Sequence, residues 1–131
     1  MIVVDASVLA NALGDDGPEG DIARAAMRGH RSVNAPALID AETVAVLRRH
    51  WLTGTLSETQ FGRAVDDLVA IPIVRHPMTR LALRAFTLRS NATAYDAMYL
   101  ALAEALECVF VTRDRRLSST PGIRCPVVVV S

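Results

Sequence analysis

Ile2-Val3-Val4-Asp5-Ala6-Ser7-Val8-Leu9 is the stretch from which the architecture of this chain can be read. Its β-branched run is apolar on both faces, as suits a strand buried between two layers. Asp5 closes the run, and Ser7 to Leu13 then reads as a short helix, so a strand passes into a helix across a carboxylate. The same pattern returns along the chain. A polar loop, Gly14 to Gly20, leads into a helix with Pro18 in its first turn, running to about Gly29, and a brief strand follows at 32–35. Pro36 is expected to open a helix to about Thr53, closed by Gly54; Ser57-Glu58-Thr59-Gln60 has capping-box spacing and begins another, to about Ala70. Residues 71–75 form a strand candidate interrupted by Pro72, and Pro77 starts a helix reaching Arg89. The most apolar helix spans 93–107, followed by a strand at 108–112, a helical turn at 113–117 and a last strand at 127–130. This alternation implies an α/β fold with a parallel sheet covered on both faces, whose ligands bind beyond the carboxyl ends of the strands.

The bulk properties narrow the class. A chain of 131 residues, half of them apolar, is expected to form one domain, 1–131, around one substantial core. Fourteen basic and fourteen acidic residues cancel, so any contact with nucleic acid must come from a local patch. Every basic residue is Arg, which excludes a phosphate loop of the GK[ST] kind and the lysine of a receiver domain. Cys108 and Cys125 lack CxxC spacing and read as reduced, buried thiols of a cytoplasmic protein. The amino-terminal run holds Asp5 and no positive flank, so it does not read as a signal peptide, and no stretch approaches a membrane span. His30, His50 and His76 are scattered, and Ser7 has no GxSxG elbow.

Four carboxylates sit where a carboxylate is costly. Asp5 and Asp114 fall at or just beyond strand ends, and each could simply cap the helical turn that follows. Glu42 has Leu38, Ala45 and Val46 as helical neighbours and so projects from an apolar stripe. Asp96 lies in Tyr95-Asp96-Ala97-Met98-Tyr99 with Tyr99, Leu100 and Ala103 on its face; Thr93 as N-cap and the helix dipole favour an acid there without explaining why it faces inward. Glu104 and Glu107, in the last turns of that helix, are expected to reach solvent. An ionised carboxylate out of water needs a partner or a metal. Four of them from different elements suit a hard cation, Mg²⁺ or Mn²⁺, and so a metal-dependent hydrolase acting on phosphate esters.

In order and spacing the chain resembles the PIN-domain ribonucleases, most closely the VapC-type toxins of bacterial toxin–antitoxin pairs. The matching segments are Val3-Val4-Asp5-Ala6-Ser7-Val8-Leu9, Pro36-Ala37-Leu38-Ile39-Asp40-Ala41-Glu42, Thr93 through Ala103, and Val111-Thr112-Arg113-Asp114-Arg115-Arg116-Leu117. The resemblance implies a three-layer α/β/α sandwich and an Mg²⁺- or Mn²⁺-dependent endoribonuclease. Asp5, Glu42, Asp96 and Asp114 would be its catalytic, metal-binding acids, with Ser7 supporting Asp5 and Thr112 placed near the metal. Hydrolysis by metal-activated water would leave 5′-phosphate and 3′-hydroxyl ends. Some relatives carry a further acid after the fourth; here Arg115 and Arg116 stand there instead, which leaves a second metal site incomplete.

Arg113, Arg115 and Arg116 flank the expected site and are candidate RNA contacts, as is Arg48-Arg49 at the end of the Glu42 helix. The resemblance implies a structured RNA substrate, such as a tRNA or a ribosomal RNA loop. The resemblance further implies a VapB-like antitoxin, a toxin homodimer through 37–70, a toxin–antitoxin hetero-oligomer, and contact with operator DNA only through the antitoxin. Trp51, Leu52, Leu56 and Phe61 serve equally well as core residues. The alternatives are a PIN nuclease of RNA maturation, a catalytically silent PIN-fold binding module, and a carboxylate-rich phosphatase.

Overall fold

The computed structural model describes residues 1–131. Five strands, β1 (Ile2–Val4), β2 (Val33–Pro36), β3 (Val74–His76), β4 (Val109–Thr112) and β5 (Val127–Val129), are wound with six helices. These are α1 (Ala6–Gly14), α2 (Pro18–Met27), α3 (Ile39–Leu52), α4 (Glu58–Ala70), α5 (Ala82–Thr87) and α6 (Ala94–Ala105). Every strand pair is parallel, in the order β3-β2-β1-β4-β5. The chain winds outward from β1 to β3, then returns past β1 to begin β4 on its other side. The direction of winding therefore reverses between β1 and β4, and the crevice beyond their carboxyl ends is the natural ligand site of such a sheet.

Helices α1 to α4 pack against one another, while α6 lies across β1, β2 and β4 with α5 packed on it. Val3, Val4, Ile39, Leu100, Ala103 and Phe110 are wholly excluded from solvent. Burying a side chain such as Val or Leu contributes about 1.5–3 kcal/mol, which explains the near-continuous apolar character of β1 and β4. A smaller cluster, Ala10, Leu47, Leu56 and Ala64, ties α1 to α3 and α4. Leu56 is core, whereas Trp51 and Leu52 are 40% and 57% exposed.

The structure moves several expected boundaries. Pro36 ends β2 instead of opening α3: it stands in register with His76, and the Ala37 N–H donates to the His76 carbonyl at 2.8 Å. β3 begins at Val74, because Pro72 has no N–H and the Ile73 N–H turns back to the Ile71 carbonyl at 2.9 Å. The helix expected from Pro77 to Arg89 breaks into a 3-10 turn, Thr79–Leu81, followed by α5. This tighter path keeps Leu81, Ala85 and Leu88 buried. α6 ends two residues early, in a Schellman closure built without glycine. Glu107 takes φ 52°, its N–H reaches the Glu104 carbonyl at 3.1 Å, and the Cys108 N–H reaches Ala103 at 3.0 Å. Glu104 does not reach solvent: its side chain is 10% exposed and receives Arg84 at 2.7 Å. Cys108 and Cys125 are both buried free thiols, and no helix is long and apolar enough to cross a membrane.

Candidate active site

Asp5 owes its position to its neighbours on both sides. It is the N-cap of α1, and its Oδ1 accepts from the Ser7 and Val8 amides at 3.1 and 3.2 Å and from Ser7 Oγ at 2.5 Å. Because Val4 pairs with Val111, the next residue on each strand is brought alongside, and Thr112 Oγ1 donates to Asp5 Oδ2 at 2.5 Å. The capping reading and the inward placement thus coexist in one residue. Both hydroxyls are themselves fixed, Ser7 Oγ by the Arg113 amide at 3.2 Å and Thr112 Oγ1 by the Asp114 amide at 3.1 Å. Burial pushes the Asp5 carboxyl above its ordinary value, these hydrogen bonds oppose the rise, and repulsion from Asp96 adds to it.

The other three acids line the same cleft, a cavity of about 580 Å³ whose walls also include Ala45, Val46, Arg48, Arg49, Tyr99 and Leu117. Glu42, in the first turn of α3, faces α6 and accepts from the Tyr99 hydroxyl at 2.8 Å. Burial raises its pKa, with Asp96 and Asp5 adding repulsion against the lowering effect of Tyr99. Asp96 is in the first turn of α6, whose N-cap Thr93 accepts its amide at 3.1 Å. Burial pushes its carboxyl up and Asp114 adds to the rise, against the lowering effects of the Thr93 hydrogen bond and the Arg116 charge. Tyr99 is driven far above the ordinary phenol range, by burial first and then by Glu42, so it keeps its proton and acts as a donor.

Asp114 differs. It caps the 3-10 turn Arg115–Ser119, and its Oδ1 accepts from the Arg116 amide and Nε, both at 3.0 Å, while Oδ2 accepts from Nη2 at 2.6 Å. The guanidinium hydrogen bond holds its carboxyl below the ordinary range. Arg113 is also engaged, with Glu19 at 3.2 Å and with the Asn11 carboxamide oxygen at 2.8 Å when that oxygen faces it. It braces the start of α2 against α1, while Arg115 and Arg116 stay exposed.

Tyr99, Asn11 and Glu19 were not among the site residues singled out by sequence; Arg113 was, as an RNA contact, and the structure ties it to Glu19 and Asn11. Periodicity sets Tyr99 on the apolar face of α6, where a phenol reads as core, and its contact with Glu42 joins positions 57 residues apart. The donor set of the cleft is carboxylate oxygen throughout, the chemistry a hard cation takes. No salt bridge joins Asp5, Glu42 or Asp96 to a guanidinium. As the side chains stand, no three acids, histidines or cysteines form a closed ligand set. Glu42 is turned to Tyr99 and Asp114 to Arg116. By their chemistry these residues fit a divalent cation.

A sheet with its winding reversed at β1 and β4, and acids converging on that crevice, defines a nuclease of the PIN class, and residues 2–123 match the PIN domain family. The chain belongs to that family, and within it to the VapC ribonucleases. It is 41% identical over 130 residues to ribonuclease VapC9 of Mycobacterium tuberculosis, covering 99% of this chain and 98% of that one. Among solved structures, VapC20 of Mycobacterium tuberculosis, described as a sarcin–ricin loop cleaving toxin, superposes with a TM-score of 0.72 at 16% identity, over 95% of this chain and 97% of that one. VapBC2 of Rickettsia felis, described as bound to a DNA fragment from its promoter, gives 0.72 at 10% identity, with both chains fully covered. These two likenesses speak for the fold.

Proposed function

We propose that the cleft hydrolyses RNA phosphodiester bonds as the toxin of a VapBC-type pair, with Mg²⁺ or Mn²⁺ held by Asp5, Glu42 and Asp96. One observation carries this reading: three partly or wholly buried carboxylates share a cleft and none of them is in a salt bridge with a guanidinium. Such a cation, when bound, activates the attacking water and offsets charge on the phosphate. The chain's own residues do the positioning. Ser7, Thr112 and the first amides of α1 hold Asp5 in one rotamer, and Tyr99 holds Glu42 against the wall of α6. Arg48 and Arg49 line the cleft from α3, where they can meet the phosphates on either side of the scissile bond.

The partners are those that membership of the VapC family implies. Uncompensated acids favour any cation delivered on a peptide, so a VapB-like antitoxin that places a basic side chain among them would silence the enzyme. Operator DNA would be met through that antitoxin, and the toxin would pair as a homodimer. Target choice, a tRNA or a ribosomal RNA loop, extends the same reading.

The test is cleavage of total RNA by the purified protein with Mg²⁺, with Mn²⁺ and with EDTA, beside folded Asp96→Asn. The expected result is a few discrete sites with 5′-phosphate ends, absent with EDTA and in the variant. A folded, metal-supplied protein that cleaves nothing in that pool would favour the silent binding module.

A further inference from the structure

Arg48 and Arg49 line the acid cleft itself, and Arg116 is tied to it through Asp114, in a setting unlike that of an ordinary surface ion pair. Its side chain is 87% exposed, so the pair with Asp114 adds little to folding stability. Yet Asp114 grips it through the amide, Nε and Nη2 at once. The grip is side-on. Nε and Nη2 face the carboxylate, while Nη1 and the second Nη2 proton make no bond within the protein. That leaves the outer edge of the guanidinium, two parallel N–H groups, turned away from Asp114. It is the edge that matches two phosphate oxygens.

The grip is anchored in turn. The Asp114 amide donates to Thr112 Oγ1, and that hydroxyl donates to Asp5. A continuous set of bonds therefore fixes the guanidinium relative to the carboxylate at the floor of the cleft. Asp114 is also the one acid of the cleft paired with a guanidinium, whose positive charge opposes a cation there, whereas the donors on Asp5 are neutral amides and hydroxyls.

We propose that Arg116 is a ligand of the substrate phosphate, held ready by Asp114, and that Asp114 is its positioning residue and not a metal ligand. This rests on the hydrolytic reading of the cleft and reassigns one of its acids. An Arg in this place turns the fourth carboxylate from part of a metal site into part of the phosphate site.

Two measurements without turnover test it. The first is calorimetric titration with Mn²⁺ of the wild-type protein, Asp114→Asn and Asp96→Asn. Asn retains the cap of the 3-10 turn through its one oxygen but offers Nη2 a donor in place of an acceptor, so the variant removes the charge and the two-oxygen grip while the turn is kept. Asp114→Asn should bind Mn²⁺ within about twofold of wild type, and Asp96→Asn about tenfold more weakly or worse. An equal loss in Asp114→Asn would make it a metal ligand and overturn the inference.

The second is binding of a fluorescein-labelled single-stranded RNA in EDTA, in the cleavage-dead Asp96→Asn background. Arg116→Ala should weaken binding about tenfold and flatten the log–log salt dependence by about 0.7, the value of one phosphate contact on a single strand. Arg116→Lys should fall between, because it keeps the charge and loses the fork. The neighbouring Arg115→Ala should cost less, and combining Asp114→Asn with Arg116→Ala should shrink the Arg116→Ala penalty to about threefold or below. Equal losses from Arg115→Ala and Arg116→Ala would mean a diffuse field, and an unchanged penalty in the Asp114→Asn background would remove the positioning role. If the wild type cleaves no RNA, the hydrolytic reading fails, while these binding arms still decide the place of Arg116.

Discussion

Glu104, near the end of α6, and Asp5, at the end of β1, are both carboxylates taken out of water. The Glu104 side chain is 10% exposed and Asp5 as a residue 9%. Around Glu104 the fold supplies a guanidinium: Arg84 Nε and Nη2 donate at 2.7 and 3.0 Å, and the Arg124 amide at 2.8 Å. Burial alone would raise its pKa, but these donors bring it below the ordinary 4.5. Around Asp5 the fold supplies hydroxyls and helix amides, which orient the group without cancelling its charge, and burial prevails. Glu104 is a charge the protein has finished neutralising. Asp5, Glu42 and Asp96 are left for something else to neutralise.

Asp5→Asn and Asp96→Asn should break function most. Each is expected to lower metal-dependent RNA cleavage by roughly 10²–10⁴. In EDTA at neutral pH neither should lower the melting temperature, and Asp96→Asn should raise it. The sign follows from its raised pKa: the cost of ionising Asp96 in the fold is absent below its ordinary 3.8 and grows as pH rises through the folded value. A loss of cleavage accompanied by unfolding would remove the contrast with Glu104.

Arg84→Ala should do the reverse. It strands Glu104 and should cost about 1–3 kcal/mol, read as a lower melting temperature, while cleavage of RNA by the folded fraction is retained. The pH dependence has the opposite sign as well. Stability from Glu104 is full above its ordinary 4.5 and is lost as pH falls through the lower folded value, so Arg84→Ala should flatten the acid limb of the stability curve. A variant that kept its melting temperature but stopped cleaving RNA would place Arg84 with the functional charges.

The two regions also differ in how far they could be read from sequence. Asp5 and Asp114 were visible because they interrupt or follow apolar strands, and Glu42 and Asp96 because helical periodicity sets them on apolar faces. Their convergence followed from strand ends sharing one edge of a parallel sheet, and the structure does line one cleft with all four. Periodicity reports a face and not a partner. It therefore could not show that Glu104 meets Arg84 across 20 residues, or that Glu19 meets Arg113. The Arg116–Asp114 grip spans only two residues, but it depends on the 3-10 turn, which the motif does not specify. Boundaries failed at Pro36, where strand pairing overrode a proline read as a helix start, at Pro72, whose missing N–H delays β3 to Val74, and where Glu107 closed a helix in the conformation usually left to glycine.

Tyr99→Phe is the finest test of the contrast. Tyr99 is 2% exposed, and its ring stacks on Phe110 with centroids 5.9 Å apart, so the substitution keeps the packing and removes one donor. If Glu42 is a charge awaiting a cation, Tyr99 is its holder in the meantime. Removing the hydroxyl should cost about 1 kcal/mol of stability in EDTA, less with saturating Mg²⁺, and cleavage should fall only a few-fold. A fall as deep as that of Asp96→Asn would mean that the phenol itself serves the phosphate. Glu42 would then resemble Glu104, a carboxylate whose partner the fold already contains.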